Sequence, residues 1–331
     1  MAKMKTYYLD HYGDPEEVLQ LQTVEIPKPS PKEVLLKVQT SAINDYDWAL
    51  TSGTPFAYRL FFGLIKPRKK MRYPGMEVAG IVEKAGANVK NLNAGDRVYG
   101  DTSDHGFGSL AEYMVLNEKA LRKMPNDLSF EEGVALPHAS ALAMQGLKDV
   151  GQIKKGEKVL INGGGGGVGM LGIQIAKTYG AEITGVDSRQ KLDRMLQMGC
   201  ESVIDYREED FTRSGGNYDL ILDCRTSRWP LAHLRALKSG GRYVSIGGQS
   251  GKLIAMMLLS RLIKLITKKK LLMVAVKANK DLPEIERLRA EGKLKCEIDG
   301  PYPFEKTPWA IKRFGKAEHT GKVVIKIGGS Q

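Results

Sequence analysis

The residues whose types and spacing could do chemistry begin just after a short apolar segment. Val159-Leu160-Ile161 leads through Asn162 into Gly163-Gly164-Gly165-Gly166-Gly167-Val168-Gly169, where a GxGxxG frame fits at Gly164, Gly166 and Gly169. Glycine-rich linkers produce such matches readily, so the context decides. An apolar strand precedes the run, and a helix opens within it with Val168, Leu171, Ile175, Ala176 and Tyr179 at helical spacing. Asp187 lies 18 residues past Gly169, at the end of the next predicted strand. Strand, glycine turn, helix and acidic residue in this order form a dinucleotide fingerprint. Glycines let the backbone approach a pyrophosphate, and the amides of Gly166, Gly167 and Val168 at the helix start offer it hydrogen-bond donors. Asp187 can accept both ribose hydroxyls, which favours NADH and repels a 2′-phosphate. Ser188, Arg189 and Lys191 follow it, and the two basic ones could neutralise that phosphate; Asp187 could instead turn away as a helix cap. The cofactor expected is NAD(P)H, with NADH and NADPH both open.

These residues need a scaffold, and the rhythm of the chain predicts one. Residues 1–120 read as short extended pieces (Lys5–Leu9, Glu33–Thr40, Val78–Glu83, Arg97–Tyr99, Ala111–Val115) separated by turn clusters such as Pro27-Lys28-Pro29-Ser30-Pro31. From about Lys123 strands and helices alternate: strands at Lys158–Ile161, Glu182–Val186, Ser202–Ile204, Asp219–Leu222 and Tyr243–Ile246, with helices at 168–179, 190–198 and 230–238. Alternation of this kind predicts a parallel sheet covered by helices on both faces. The last stretch returns to short pieces ending in a strand at Lys322–Ile327. The expected fold is α/β: a β-rich domain built from residues 1–122 and 279–331, interrupted by a doubly wound Rossmann domain over 123–278.

The 331 residues carry 50 Lys+Arg against 38 Asp+Glu, a net charge of +12, with 42% hydrophobic residues. This composition is that of an ordinary globular chain of about two domains. Cys200, Cys224 and Cys296 show no C-x-x-C spacing, which argues against a disulfide framework or a structural zinc site. The N-terminal Met1-Ala2-Lys3-Met4-Lys5 runs into a strand-like segment without an apolar signal region, so a cytoplasmic location is expected. The basic residues read as dispersed, giving a solvated basic surface and no expected nucleic-acid partner.

Several further segments carry a resemblance. Ala42-Ile43-Asn44-Asp45-Tyr46-Asp47-Trp48, Pro74-Gly75-Met76-Glu77-Val78-Ala79-Gly80, Gly95-Asp96-Arg97-Val98, Gly108-Ser109-Leu110-Ala111-Glu112-Tyr113, Leu136-Pro137, the glycine run, Val203-Ile204-Asp205-Tyr206 and Gly321-Lys322-Val323-Val324 occur in this order along nearly the whole chain. Together they resemble the medium-chain dehydrogenase/reductase superfamily, in its zinc-independent quinone oxidoreductase branch. The resemblance implies a GroES-like catalytic domain beside the Rossmann domain, an active site in the cleft between them, and a homodimer. Met76 stands where zinc-dependent relatives keep a ligand His, and the Asn44/Asp45 region replaces their ligand Cys, so no metal is expected.

Without a metal, the chemistry implied is hydride transfer from NAD(P)H to a quinone or an α,β-unsaturated carbonyl. The resemblance makes Asn44 and Asp47 the expected pair at the cleft floor, with Asn44 donating to an oxygen, Asp47 orienting its neighbours, and Tyr46 between them as a phenol. Tyr206 matches the adenosine-side Tyr, and Gly247 and Gly248 match the turn at the nicotinamide edge. Leu142 replaces a Thr that many relatives turn toward the nicotinamide, which leaves Ser140 and His138 as polar groups before Gln145; His138 and His105 read as packing or loop residues. Two basic apolar stretches, 60–70 and a helix over 252–270, are expected to be buried or to lid the cleft, in preference to lying on a membrane. The strand at 271–276 is expected to pair across a dimer axis. The competing reading is a nucleotide-binding sensor or RNA-binding protein with little turnover.

Overall fold

A computed structural model describes residues 2–213 and 215–328; Met1, Ser214 and residues 329–331, which fall within the expected domain ranges, lie outside the described residues. The chain forms two compact units, Met1–His138 with Ile298–Gln331 and Ala139–Glu297. The boundaries fall later than composition placed them, for reasons visible in hydrogen bonds. Thr40 Oγ1 donates to the Phe130 carbonyl and the His138 amide donates to Glu77 Oε1, tying 123–138 to the first unit. Gln145 Nε2 donates to Lys277 O and Asp281 Oδ2, tying the helix Leu282–Ala290 to the second.

In the first unit, a seven-stranded sheet runs Ile298–Pro303, Lys322–Lys326, Glu33–Ala42, Glu77–Ala85, Arg97–Asp101, Arg122–Lys123, with Tyr113–Asn117 also paired to Glu33–Ala42. Lys3–Tyr8 and Gln20–Glu25 make a separate antiparallel pair. Glu33–Ala42 is the hub, because it is antiparallel to Glu77–Ala85, Tyr113–Asn117 and Lys322–Lys326 at once. Its apolar residues Val34, Leu36 and Val38 enter a core with Val78, Val82, Val98 and Ile325. The last strand of the chain is therefore an interior strand of a sheet begun by residue 33.

The second unit contains a six-stranded sheet, parallel throughout, ordered Ser202–Asp205, Glu182–Asp187, Lys158–Asn162, Tyr218–Asp223, Leu237–Ser245, Lys270–Met273. Numbered along the chain, this is the 3-2-1-4-5-6 order of a Rossmann sheet, whose switch point falls beside the strand leading into the glycine run. The helix Gly167–Thr178 buries Met170, Leu171, Ile173 and Ile175, as a helix laid on such a sheet must. The helix from Pro230 stops at Ala236, earlier than the periodicity suggests, since Leu237 and Lys238 already belong to a strand. The basic apolar helix spans Ser250–Thr267. It ends because Lys268 takes a left-handed φ of 58° and Lys270 begins the edge strand.

Candidate active site

Two clusters of functional side chains form, one in each unit. In the first unit, the strand Glu33–Ala42 delivers Asn44 to the start of the helix Asp45–Ser52. The Asn44 amide donates to Asp47 Oδ2 at 2.8 Å, and the Gly75 amide donates to Asp47 Oδ1 at 2.7 Å. Burial pushes the Asp47 carboxyl up to about 6, against the downward pull of those two amides. The expected Asn44/Asp47 pair is thus brought together, with Asp47 fastening the helix start to the Pro74–Gly75 turn.

Sequence reasoning passed over the charge at the centre of this cluster. Glu77 is fully buried; its Oε2 accepts from Asn44 Nδ2 at 2.8 Å and its Oε1 from the His138 amide at 2.7 Å. The Lys322 ammonium, also buried, pairs with Glu77 and donates to Asn44 Oδ1 at 2.5 Å. The signal available beforehand was a lone charged residue at the head of each apolar strand, Glu77 before Val78-Ala79 and Lys322 before Val323-Val324.

A second buried pair adjoins through His138, whose Nδ1 lies 2.7 Å from Asp101 Oδ2. Burial works to raise the Asp101 carboxyl, but the imidazole hydrogen bond and charge, with the Ser103 amide, hold it below the ordinary range. Asp101 is therefore the acceptor and Nδ1–H the donor, which fixes the orientation of the ring. The Tyr46 ring stands edge-on to His138 at 6.3 Å and packs with Tyr58, Phe62 and Phe107. Burial raises both the Tyr46 phenol and the Tyr58 phenol, the latter to about 12. His138 is thus a member of the polar cluster, whereas His105 is exposed in the turn after Thr102.

In the second unit, the predicted cofactor residues gather at the carboxyl ends of the strands. Gly163 takes φ 77°, a left-handed conformation natural only to glycine. A Cβ on Gly169 would sit 2.2 Å from the Gly163 carbonyl, so the turn closes onto the helix only because that side chain is absent. Gly166 caps the helix, and Gly167, Val168 and Gly169 open it with amides that precede its first internal bond, from Met170 N to Gly166 O. Asp187 neither points outward nor caps a helix: its Oδ2 accepts from the Gly165 amide at 2.9 Å and its Oδ1 from the Ser188 amide at 2.8 Å. Lys191 Nζ lies 3.6 Å from the same carboxylate, and the Tyr206 amide donates to the Asp187 carbonyl. Gly164, Gly165, Asp187, Ser188, Lys191 and Tyr206 are thus assembled. Gly247 ends a neighbouring strand, its carbonyl accepting from the Thr226 amide. Beneath it, Tyr243 OH donates to Asp223 Oδ2 at 2.5 Å, and Asn162 Nδ2 donates to Asp223 Oδ1 at 2.7 Å, stitching adjacent strand ends.

The set fits a dinucleotide. At the positions compared with zinc ligands, Met76 is buried and offers a thioether, and Asn44 and the neighbouring Glu77 are engaged by the Lys322 cation.

Comparison with known proteins accords with this geometry. Residues 30–126 match the alcohol dehydrogenase GroES-like domain model and residues 198–325 the zinc-binding dehydrogenase model. The chain is 32% identical over 98% of its length to the 2-methylene-furan-3-one reductase of Solanum lycopersicum, covering 79% of that protein. It is 31% identical to a chloroplastic quinone oxidoreductase of Triphysaria versicolor, covering 98% of each. Among solved structures, the quinone oxidoreductase of Coxiella burnetii superposes with a TM-score of 0.84 at 27% identity, covering 98% of this chain and 100% of that one. Fold, cradle and relatives define a nicotinamide-dependent oxidoreductase. The chain belongs to the medium-chain dehydrogenase/reductase superfamily, in its quinone oxidoreductase branch.

Proposed function

We propose that this enzyme transfers hydride from NAD(P)H to a quinone or an α,β-unsaturated carbonyl without a catalytic metal. The observation that carries the metal-free part is the Lys322 ammonium, held between Glu77 and Asn44. A fixed buried cation there occupies Glu77 and Asn44 and disfavours a second cation at the same place. The cradle of Gly164, Gly166–Gly169, Asp187, Ser188, Lys191, Tyr206 and Gly247 would hold the cofactor, which supplies a hydride when bound. The relatives' names support the acceptor class, since they include a furanone reductase and quinone oxidoreductases.

The chain's own residues then handle the proton. Asp101 fixes the orientation of the His138 ring through the Nδ1 hydrogen bond, as a carboxylate does for a catalytic imidazole. An enone that takes hydride at its β carbon needs a proton at its α carbon, and His138, oriented by Asp101, is the residue assigned to relay it from solvent water. The rings of Tyr46, Tyr58 and Phe107, packed edge-on or tilted against one another over the buried Phe62, offer an aromatic lining suited to a conjugated acceptor. The edge strand Lys270–Met273, hydrogen-bonded to Leu237–Ser245 on one side, supports a homodimer formed along its other edge.

Steady-state oxidation of NADPH and NADH against a panel of quinones and enones, before and after exhaustive chelation, tests the proposal. Turnover unchanged by chelation is expected. Activity lost on chelation and restored by zinc would refute the metal-free mechanism. Tight nucleotide binding with no acceptor reduced would refute the acceptor class.

A further inference from the structure

Counted by segment, the positive charge is not dispersed. Residues 224–280 contain thirteen Lys and Arg and no Asp or Glu, and residues 48–76 contain six and none. The remaining residues hold 31 basic against 38 acidic groups, a net of −7, so the entire +12 resides in these two segments. Both also place large aliphatic and aromatic side chains in solvent.

In the longer segment the helix Ser250–Thr267 fully buries only Met256 and Ile263. Ile254, Leu258, Leu262, Leu265 and Ile266 are exposed, with Leu258 at 77% and Leu265 at 83%. Ile254, Leu258, Arg261 and Leu265 follow the i, i+4, i+7, i+11 spacing of a single face, opposite Met256 and Ile263. Arg261 lies within that face, Lys264 beside it and Lys268 at its C-terminal end, and none of the three makes an ion pair among the described residues. Other basic residues of the segment are committed: Arg228 to Asp210, Lys238 to Asp219, Arg242 to Glu157 and Lys280 to Asp149, while Lys269 binds the Leu234 and Leu237 carbonyls. Nearby, Trp229 is exposed and Lys252 sits 3.6 Å over its ring. In the first unit, exposed Phe61 and Ile65 precede Lys66, Arg68, Lys69 and Lys70.

We propose that the exposed face of the helix 250–267 docks onto an anionic phospholipid bilayer, lying in its surface plane. The described helices include none long and apolar enough to cross a membrane, so the mode is interfacial, with the aliphatic stripe entering the acyl boundary and the basic flank meeting headgroup charge. Chemistry selects this occupant over others. A second copy docked face to face would oppose Arg261, Lys264 and Lys268 with their own likeness, at a cost in repulsion. A nucleic acid would satisfy the cations but gains nothing from five exposed aliphatic side chains.

The test uses the whole chain in co-sedimentation with vesicles of phosphatidylcholine alone or mixed with phosphatidylserine. Binding to the mixed vesicles is expected, weakened at least about tenfold by omitting phosphatidylserine or by high salt. Leu258→Glu/Leu265→Glu and, separately, Arg261→Gln/Lys264→Gln should each weaken it by a similar factor. These positions are exposed, so turnover of a water-soluble quinone and the thermal midpoint should stay unchanged, which verifies folding. Failure of the wild-type chain to sediment overturns the proposal. So does a dimer that Leu258→Glu/Leu265→Glu dissociates without any vesicle binding, or binding to an RNA oligonucleotide in place of vesicles. Binding equally to neutral vesicles, unaffected by the charge variant, overturns the anionic part and with it the occupant named.

Discussion

Replacing Lys322 with Met isolates the contribution of the buried ion pair. The substitution keeps volume and removes the ammonium that pairs with Glu77 and donates to Asn44 Oδ1 at 2.5 Å. Breaking a buried pair from one side costs about 3–5 kcal/mol, because the surviving charge stays buried. Glu77 still accepts from Asn44 Nδ2 and the His138 amide, which pulls that cost toward its lower end. Asn44 Oδ1 in turn loses its donor, adding about 1 kcal/mol. A net loss of about 4 kcal/mol is expected, a fall of roughly 10 °C or more in the melting point. Glu77→Gln alone strands the ammonium and should cost a similar amount. The double variant Glu77→Gln/Lys322→Met leaves a neutral amide beside a thioether and should recover much of the loss, giving a coupling energy of about 2 kcal/mol or more. Urea denaturation of the four proteins, followed by circular dichroism, measures each term. A Lys322→Met cost below about 1 kcal/mol, or a double variant no more stable than either single one, would refute the reasoning.

Three other outcomes are expected. Burial places the Asp47 carboxyl at about 6, above its unfolded value of about 3.9, so the fold prefers the protonated form. Its stabilising share is complete below about pH 4 and is lost as pH rises toward 6, about 3 kcal/mol in all; urea midpoints against pH should show this slope, and Asp47→Asn should flatten it. His138→Gln and Asp101→Asn should each lower kcat on enones by about a hundredfold and on quinones much less, since a reduced quinone takes its protons from water; equal losses on both acceptors would exclude a proton-donating role. Asp187→Ala should weaken NADH and relieve repulsion of the 2′-phosphate of NADPH, moving their affinity ratio about tenfold. Parallel changes in both titrations would mean that Asp187 acts only by holding the Gly165 amide.

The cofactor cradle was legible because its parts are contiguous: strand, glycine turn, helix and Asp187 fall within one local stretch, and each local preference agrees with the sheet order. Asn44 and Asp47 were legible as a pair, yet their spacing has a simpler local meaning, since the Asn44 amide to Asp47 carboxylate bond fastens a helix start. Glu77, Lys322 and Asp101 were not legible. Their partners come from strands distant in the chain, and no periodicity announces that a charge will be buried. His138 read as a packing or loop residue; it is buried as such a residue is, but its Asp101 partner was not legible, because only the fold brings that carboxylate to Nδ1. For the helix 250–267, expected to be buried or to lid the cleft, the two-sided apolar sequence does not reveal which side meets the sheet; Met256 and Ile263 do.

The interior position of the last strand has a consequence for biosynthesis. On the ribosome, residues 139–297 emerge as an uninterrupted block and can complete their parallel sheet early. The first unit is synthesised before that block but cannot close, since Lys322–Lys326 must insert between Ile298–Pro303 and Glu33–Ala42. Until then Glu77 lacks its counter-ion. The nascent chain therefore carries an open sheet edge until Lys322–Lys326 has been made, and that strand acts as the latch that closes the first unit.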